Sequence, residues 1–217
     1  MSSGIVPFYE AGQFAFGLEN NFANTPIMDR LWEYTNKAKE APIDYKHSLA
    51  GNIYSSLELT DTDDWFFKNI LDPLIKEYEE VFKNGKQVLS RKLFRDKNIP
   101  YILDSFWVNF QKQHEFNPLH CHDGIYSFVI WMKIPYDWRE QHEIPFIKSS
   151  GHPMAGNFKF VYTDIAGRID SFLYKLDPSY EGIMILFPAE IHHMVYPFYN
   201  TPDEERISIS GNIVYEI

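Results

Sequence analysis

The strongest constraint on the fold is a run of residues that would be apolar on both faces of a strand. Residues Ser127–Ile134 place apolar side chains on both faces of any strand built from them. Because successive side chains of a strand point to opposite faces, such a strand must be covered on both sides. Pro135 ends the run, since proline cannot donate to a strand ladder. The sequence therefore predicts a central strand between two layers.

The chain before residue 100 has a helical period instead. Asn24–Pro26 supplies a capping side chain and a first-turn proline, which predicts a helix that reaches about Ala38. Thr60–Asp64 supplies capping and acidic first-turn residues for a second helix, in which apolar residues recur at helical spacing over Trp65–Phe82. Pro73 predicts a bend within this second helix.

From about residue 100 the pattern alternates, which is typical of strands. In Ser105–Gln111, Phe106, Val108 and Phe110 share one face of a predicted half-buried strand. Further strands are predicted at Ile5–Phe8, Phe158–Thr163, Ser171–Leu176, Ile183–Phe187, His192–Tyr196 and Arg206–Tyr215. Tyr136–Asn157 has scattered charges and predicts a long irregular loop, typical of a lid or a mobile segment. Helices followed by strands predict an α+β fold, a sandwich or barrel buttressed by the helices.

Composition limits the partners of this chain. Its 217 residues contain no linker-like stretch, so we expect a single domain over 1–217, with residues 1–100 as helical buttress and outer strands and 101–217 as the strand core. The formal charge of −10 and the lack of a Lys/Arg cluster argue against a nucleic-acid partner. No apolar run is long enough for a bilayer, and the N-terminal residues 1–10 lack a basic region and an apolar signal core, so we expect no membrane association and a cytoplasmic location. A single cysteine, Cys121, excludes an internal disulfide.

The stretch Asn117–Gly124 contains two histidines that share a face. If it is extended, His120 and His122 point the same way, roughly 6–7 Å apart along the strand. Two imidazoles on one face are suited to a metal ion but do not complete a site, so a third ligand is expected elsewhere. His192 and His193 lie in a later predicted strand; being adjacent, they face opposite sides, and only one of them can join the pair.

The last predicted strand has a polar face formed by alternate residues. Arg206, Ser208, Ser210 and Asn212 share this face. A guanidinium forms a bidentate pair with a carboxylate, and a hydroxyl two residues along can add a hydrogen bond. A carboxylate receptor is therefore one interpretation, and a solvated strand face is the other.

These motifs follow one another in a definite order along the chain. The H-x-H pair is followed by an apolar strand, then by Phe187-Pro188 with His193-x-Val195, and finally by Arg206-x-Ser208. Over about residues 105–217 this order resembles the Fe(II)/2-oxoglutarate-dependent oxygenase superfamily, and it is similar to a group of oxygenases of marine bacteria and cyanobacterial phages. The resemblance implies a double-stranded β-helix, the jelly-roll or cupin-like barrel, as the core behind the N-terminal helices.

The resemblance also implies a ligand set. It implies that His120, His122 and His193 hold Fe(II), because the family's usual position after Phe-Pro selects His193. It implies that Arg206 with Ser208 grips the distal carboxylate of 2-oxoglutarate.

Further residues and the reaction follow from the same resemblance. Asn109, Gln111 and Tyr126 are candidates to hydrogen-bond cosubstrate or substrate, and an ordinary barrel residue is the alternative for each; for Gln111 this alternative is favoured. No catalytic residue is expected beyond the metal site. The implied enzyme is a dioxygenase that uses O2 to hydroxylate a small molecule or a protein side chain, with release of succinate and CO2. It would act in the host cytoplasm if it is phage-encoded, and an edge strand or the N-terminal helices are candidate surfaces for a homodimer.

One departure from the superfamily leaves alternatives open. His122 stands where the wider superfamily has Asp or Glu, so the predicted ligand set has no carboxylate. Asp123 is the nearest carboxylate, but in a regular strand it faces away unless Gly124 permits a bulge. A cupin-like three-histidine metalloprotein that does not use 2-oxoglutarate is one alternative, and a non-catalytic barrel protein is another.

Overall fold

The computed structural model describes residues 3–7, 15–81, 99–164 and 166–216. Its strands are β1 (Ser3–Pro7), β2 (Ala15–Asn21), β3 (Ser55–Glu58), β4 (Tyr101–Gln111), β5 (Asn117–His120), β6 (Tyr126–Lys133), β7 (Phe158–Thr163), β8 (Ile169–Tyr174), β9 (Ile183–Pro188), β10 (His192–Val195) and β11 (Arg206–Tyr215). Its α-helices are α1 (Pro26–Glu40), α2 (Asp72–Val81), α3 (Trp138–Glu143) and α4 (Pro145–Lys148). The mixed helix and strand content confirms the predicted α+β class.

Within the described ranges the strands form two antiparallel sheets. The large sheet has the order β1-β2-β9-β6-β11-β4-β3, and the small sheet has the order β5-β10-β7-β8. The sheets face each other: the rings of Trp131 and Phe158 lie 5.8 Å apart between β6 and β7, and those of Phe160 and Phe187 lie 4.9 Å apart between β7 and β9. No described strand pair joins the two sheets, so they form an open sandwich instead of a closed barrel.

Strand β6 is central, as its apolar faces predict. Its alternate residues Tyr126, Phe128, Ile130 and Met132 pack in the core shared with α1 and α2, whereas Val129 and Trp131 pack in the core between the sheets. Burying one large apolar side chain stabilises the fold by roughly 1.5–3 kcal/mol. Burial on both faces of β6 therefore stabilises the packing of the helices on one side and of the small sheet on the other. The molecule therefore has three layers: helices, large sheet and small sheet.

The second helical segment is less regular than its sequence period predicts. It begins with a 3-10 turn at Thr62–Asp64, passes through a π-helical turn at Phe67–Leu71 and continues as α2. The Asp61 carboxylate caps it by accepting hydrogen bonds from the backbone N–H groups of Phe66 and Phe67. Pro73 follows the π-helical turn and has no N–H to donate, which explains the irregular ladder at this point.

Other boundaries differ from the sequence-based predictions. Thr25 precedes α1, but its hydroxyl donates to the carbonyl of Phe22 instead of capping the helix. Strand β8 starts two residues earlier than predicted because a tight turn closed by Asp164 and Arg168 joins it to β7. The predicted irregular loop over residues 136–157 contains α3 and α4, and β2 and β3 were not predicted. Phe8, Phe82 and the helix end predicted at Asn84-Gly85 lie outside the described residues. In the described part of the chain, no helix has the length and apolar character needed to span a membrane.

We expect Gly182→Ala to lower the free energy of unfolding by about 2–4 kcal/mol. Gly182 has a φ of +86°, and an added Cβ would lie 2.5 Å from the backbone nitrogen of Ala23. Gly151→Ala is the matched control, because its added Cβ would meet no heavy atom of the described residues within 4 Å beyond its chain neighbours, and its effect should stay within about 0.5 kcal/mol. Urea denaturation of both variants measures the difference, and equal stabilities would contradict the expectation.

Candidate active site

The pairing of β5 with β10 and the segment just after β5 bring three histidines together. His120 lies directly opposite His193 in the antiparallel register, and their ring centroids are 4.3 Å apart. The His122 ring lies 5.1 Å from that of His120 and 5.0 Å from that of His193. One ring nitrogen of each residue lies within 4.8 Å of the others. His192 is exposed and faces away, so the structure groups the three predicted residues and leaves the fourth histidine out.

Backbone carbonyls orient two of these rings. Nδ1 of His120 lies 2.7 Å from the carbonyl of Pro118, and Nδ1 of His193 lies 3.0 Å from the carbonyl of Ile191. Because a carbonyl only accepts, Nδ1 carries the hydrogen and Nε2 keeps its lone pair for a metal. Nε2 of His122 is 3.3 Å from Nε2 of His193. Two nitrogens bound to one metal at about 2.1 Å and about 100° would be about 3.2 Å apart, so the donor set fits a metal ion.

The three imidazoles are neutral near pH 7. Burial lowers the pKa of His122 to about 4, with a smaller contribution from His120. Burial also lowers the pKa of His120, and it lowers the pKa of His193 well below its ordinary value. Neutral imidazole is the form that binds metal. Asp123 is exposed, and no carboxylate joins the cluster within the described ranges.

The histidines open into a cavity of about 200 Å³ between the two sheets. Its apolar wall contains Val129, Trp131, Phe158 and Phe187, and its polar wall contains Asn109, Gln111, Arg206, Ser208 and Ser210. The segment 48–53 forms a further side. The predicted residues Arg206, Ser208 and Asn109 therefore share one cavity with the histidines. Asn109 is held there by a 2.7 Å hydrogen bond from the Ser56 hydroxyl to its Oδ1.

Tyr126 lies on the other face of the large sheet. Its ring packs 5.0 Å from that of Tyr78 and 5.8 Å from that of Tyr101, in the core shared with the helices. The alternation of β6 places Tyr126 with Phe128 on this face, opposite Val129. The structure therefore contradicts the predicted contact of Tyr126 with a cosubstrate.

Arg206 is a buried cation without a described anionic partner. Arg206 is only 2% exposed to solvent. It donates to the Tyr136 hydroxyl at 2.5 Å and to Oε1 of Gln111, and no described carboxylate lies within ion-pair distance. The rings of Tyr136 and Phe198 each lie 5.8 Å from its guanidinium carbon. A buried charge is costly unless it is paired, so this arrangement is suited to receive an anion from the cavity.

Two residues hold Arg206: Tyr136 was not predicted as a site residue, and Gln111 was considered as one but interpreted as an ordinary barrel residue. The Tyr136 hydroxyl donates to the carbonyl of Gly156 at 2.7 Å, and Nε2 of Gln111 donates to the carbonyl of Glu115 at 2.5 Å. Each therefore turns an oxygen lone pair toward the guanidinium. Burial raises the pKa of Tyr136, although Arg206 opposes this, so the hydroxyl keeps its proton. The sequence offered one signal for these contacts. Gln111 and Arg206 lie opposite each other if the strands that carry them pair, as β4 and β11 do.

The sequence match to known proteins covers the part of the chain that builds this cavity. Residues 105–212 match the family model described as "Putative 2OG-Fe(II) oxygenase". This chain belongs to the Fe(II)/2-oxoglutarate-dependent oxygenase superfamily. The superfamily uses Fe(II) and 2-oxoglutarate, and the three-histidine cluster of this oxygenase fits iron binding. No curated protein matches the chain.

Solved structures are also similar to this oxygenase. A viral collagen prolyl hydroxylase from Paramecium bursaria Chlorella virus-1, in its 2-oxoglutarate complex, is similar at a TM-score of 0.50 and 12% identity, over 96% of this chain and 100% of that chain. A Pseudomonas putida prolyl-4-hydroxylase is similar at a TM-score of 0.49 and 12% identity, over 93% of each chain. The likeness to the viral protein shows a shared fold.

We expect Tyr136→Phe to lower the free energy of unfolding of this oxygenase by about 1–3 kcal/mol. The substitution removes the acceptor for Arg206 and the donor to Gly156, and both groups are then left without this buried partner. Tyr54→Phe is the matched control, because Tyr54 is 74% exposed and its loss of a hydroxyl should be nearly neutral. Thermal and urea denaturation compare the two, and a neutral Tyr136→Phe would contradict the buried network.

Proposed function

We propose that this chain is an Fe(II)- and 2-oxoglutarate-dependent dioxygenase that hydroxylates a substrate with release of succinate and CO2. The observation that supports it most is one cavity that contains both a three-histidine cluster and a buried Arg206 that has no carboxylate partner among the described residues. The family match supports the same cosubstrate and metal.

In this proposal His120, His122 and His193 hold the metal. Carbonyl hydrogen bonds fix the rings of His120 and His193, so the Nε2 lone pairs of these two residues are available without reorganisation. All three ligands are neutral, and a divalent ion keeps its full charge. A dianionic oxo acid suits such a centre better than a neutral ligand does.

Arg206 receives the distal carboxylate of 2-oxoglutarate in this proposal. Gln111 and Tyr136 hold the guanidinium in place, and the cavity-facing Ser208 lies two residues along the same strand. Asn109 lies opposite Ser208 in the register of β4 and β11. The three polar side chains thus lie on neighbouring rigid strands, which favours a preorganised carboxylate site.

When bound, iron would bring together O2, which is the oxidant, and 2-oxoglutarate, which takes one oxygen atom as it is oxidised to succinate and CO2 while the other oxygen atom is inserted into a substrate C–H bond. The chain orients these groups and excludes water from them. Trp131, Phe158 and Phe187 form an apolar wall beside the histidines, and each is at most 3% exposed. Such a wall limits side reactions with solvent.

Metal binding should stabilise the protein. At a free metal concentration 100 times its dissociation constant, the free energy of unfolding should rise by about 2.7 kcal/mol. His193→Ala should remove most of this gain, whereas His192→Ala should keep it, because the neighbouring exposed histidine is outside the cluster. Anaerobic thermal denaturation with and without Fe(II) measures the gain. Equal loss in both variants would contradict the assignment of His193.

A second measurement tests the cosubstrate. In an anaerobic titration, Fe(II) followed by 2-oxoglutarate should produce the weak visible charge-transfer band of a chelated oxo acid. Arg206→Met should raise the dissociation constant of 2-oxoglutarate about 10- to 100-fold, since it removes a charge-assisted bidentate pair.

The controls of this titration separate the alternatives. Lys133→Met is a matched cation control, because Lys133 is outside the cavity and pairs with Glu204 on the surface. A protein that binds metal but shows no band would favour the cupin-like three-histidine metalloprotein. A protein that binds neither would favour a non-catalytic role.

A further inference from the structure

The orientation of Arg206 depends on a segment that is not part of the cavity lining. The Tyr136 hydroxyl accepts a hydrogen bond from Arg206 and donates one to the carbonyl of Gly156 at 2.7 Å. Gly156 also lies directly against the Tyr136 ring, because an added Cβ at Gly156 would be 2.7 Å from Cε2 of that ring. A displacement of Gly156 therefore changes how Tyr136 meets the guanidinium.

The residue after Gly156 is a buried amide with one described side-chain partner. Asn157 is 0% exposed, and its Nδ2 donates to Nε2 of His142 at 3.2 Å. Its Oδ1 has no hydrogen-bond partner in the described part of the chain. Since buried polar groups are normally satisfied, the hydrogen bond to His142 is the one that this side chain depends on.

Helix α3 holds His142 ready to accept this hydrogen bond. Burial lowers the pKa of His142, with Lys175 as a second cause, so the ring is neutral near pH 7 and Nε2 can accept. The preceding residue, Gln141, makes two hydrogen bonds with the backbone of Tyr199, of 2.9 Å and 2.8 Å. These bonds tie α3 to the chain that follows β10, so His142 is supported on a fixed element.

Backbone hydrogen bonds hold the segment around Gly156 as well, and they limit the size of the expected effect. The Gly156 N–H donates to the carbonyl of Pro197 at 2.8 Å, and the Asn157 carbonyl accepts from the N–H of Tyr196 at 2.9 Å. Without His142 the segment keeps these bonds, so the expected change is a small reorientation of the Gly156 carbonyl. Hydrogen bonds weaken steeply as they bend, so a small reorientation is enough to alter the contact with Tyr136.

We propose that His142 is a positioning residue for the anion site at Arg206. It holds the Asn157 amide, the amide fixes the adjoining Gly156 carbonyl, and that carbonyl orients the Tyr136 hydroxyl toward the guanidinium. Without an acceptor at position 142 both ends of the buried amide lack a described partner, and the side chain turns to relieve this cost. As a role in 2-oxoglutarate binding, this inference rests on the proposed function.

The first test observes the guanidinium without any ligand. In protein that contains ¹⁵N-labelled arginine, Arg206→Met identifies the Nε–H signal of Arg206. The rings of Tyr136 and Phe198 each lie 5.8 Å from its guanidinium carbon, so ring currents make this signal sensitive to their position. His142→Phe should move the signal. His142→Gln should leave it near its wild-type position, because an amide oxygen can accept from Asn157.

The second test measures 2-oxoglutarate binding in the anaerobic Fe(II) titration. His142→Phe should raise the dissociation constant of 2-oxoglutarate about threefold to tenfold, and His142→Gln should raise it less than about twofold. His152→Phe is the matched control, because His152 is exposed and its side chain makes no described hydrogen bond, and it should change neither measurement. In a Tyr136→Phe background, His142→Phe should have no further effect, since its effect passes through the Tyr136 hydroxyl.

The outcomes separate positioning from a purely structural role. An Arg206 signal that stays in place in His142→Phe would overturn the proposal even if the variant is less stable, and so would effects of His142→Phe and Tyr136→Phe that simply add. If 2-oxoglutarate does not bind to the wild-type protein, the proposed function fails. An Arg206 signal that moves in His142→Phe and returns in His142→Gln would support the positioning role in that case too.

Discussion

Two neighbouring strands, β6 and β9, carry apolar side chains on both faces, and the rest of the molecule covers them. Met184 and Leu186 of β9 pack toward the helices, whereas Ile185 and Phe187 pack toward the small sheet. At about 25 cal/mol per Å² of buried apolar surface, neither layer can be removed without a large loss of stability. The helices therefore lie on one side and the small sheet on the other. The gap between the sheets is where the cavity forms.

The register of the strands brings the residues of the candidate site together. Pairing of β5 with β10 sets His120 opposite His193, and pairing of β4 with β11 sets Gln111 opposite Arg206. Each pair joins residues that are far apart in sequence. Since backbone hydrogen bonds fix the register, the positions of the side chains do not depend on mobile loops. This is the rigid support that a metal centre and a carboxylate site require.

Sequence reasoning succeeds where strand geometry alone decides. Alternation separates His192 from His193, because a period of two fixes each face without knowledge of the fold. His122 joins His120 in the cluster although β5 ends at His120, so an extended strand is not what places it. The same rule explains the misplaced Tyr126, since alternation groups it with Phe128. Long-range contacts were beyond local patterns: Tyr136 reaches Arg206 across 70 residues.

The segment over the cavity illustrates the same limit. Residues 48–53 have neither a helical nor an alternating period, and a bridge between Asn52 and Phe116 sets their position. Local propensity predicts where elements occur, and tertiary packing decides their irregularities.

Positive charge is expected at two places in the cavity, at a metal ion on the histidines and at Arg206. Three neutral imidazoles leave the charge of a divalent ion undiminished, and Arg206 adds a buried positive charge in the same space. Within the proposed function, a dianionic cosubstrate lowers the electrostatic cost of both at once. Because coupling between two ligands is reciprocal, 2-oxoglutarate then tightens metal binding by the factor by which metal tightens 2-oxoglutarate. In the proposed function, the histidine in place of a carboxylate at position 122 therefore makes the cosubstrate contribute a larger part of the free energy that retains the metal.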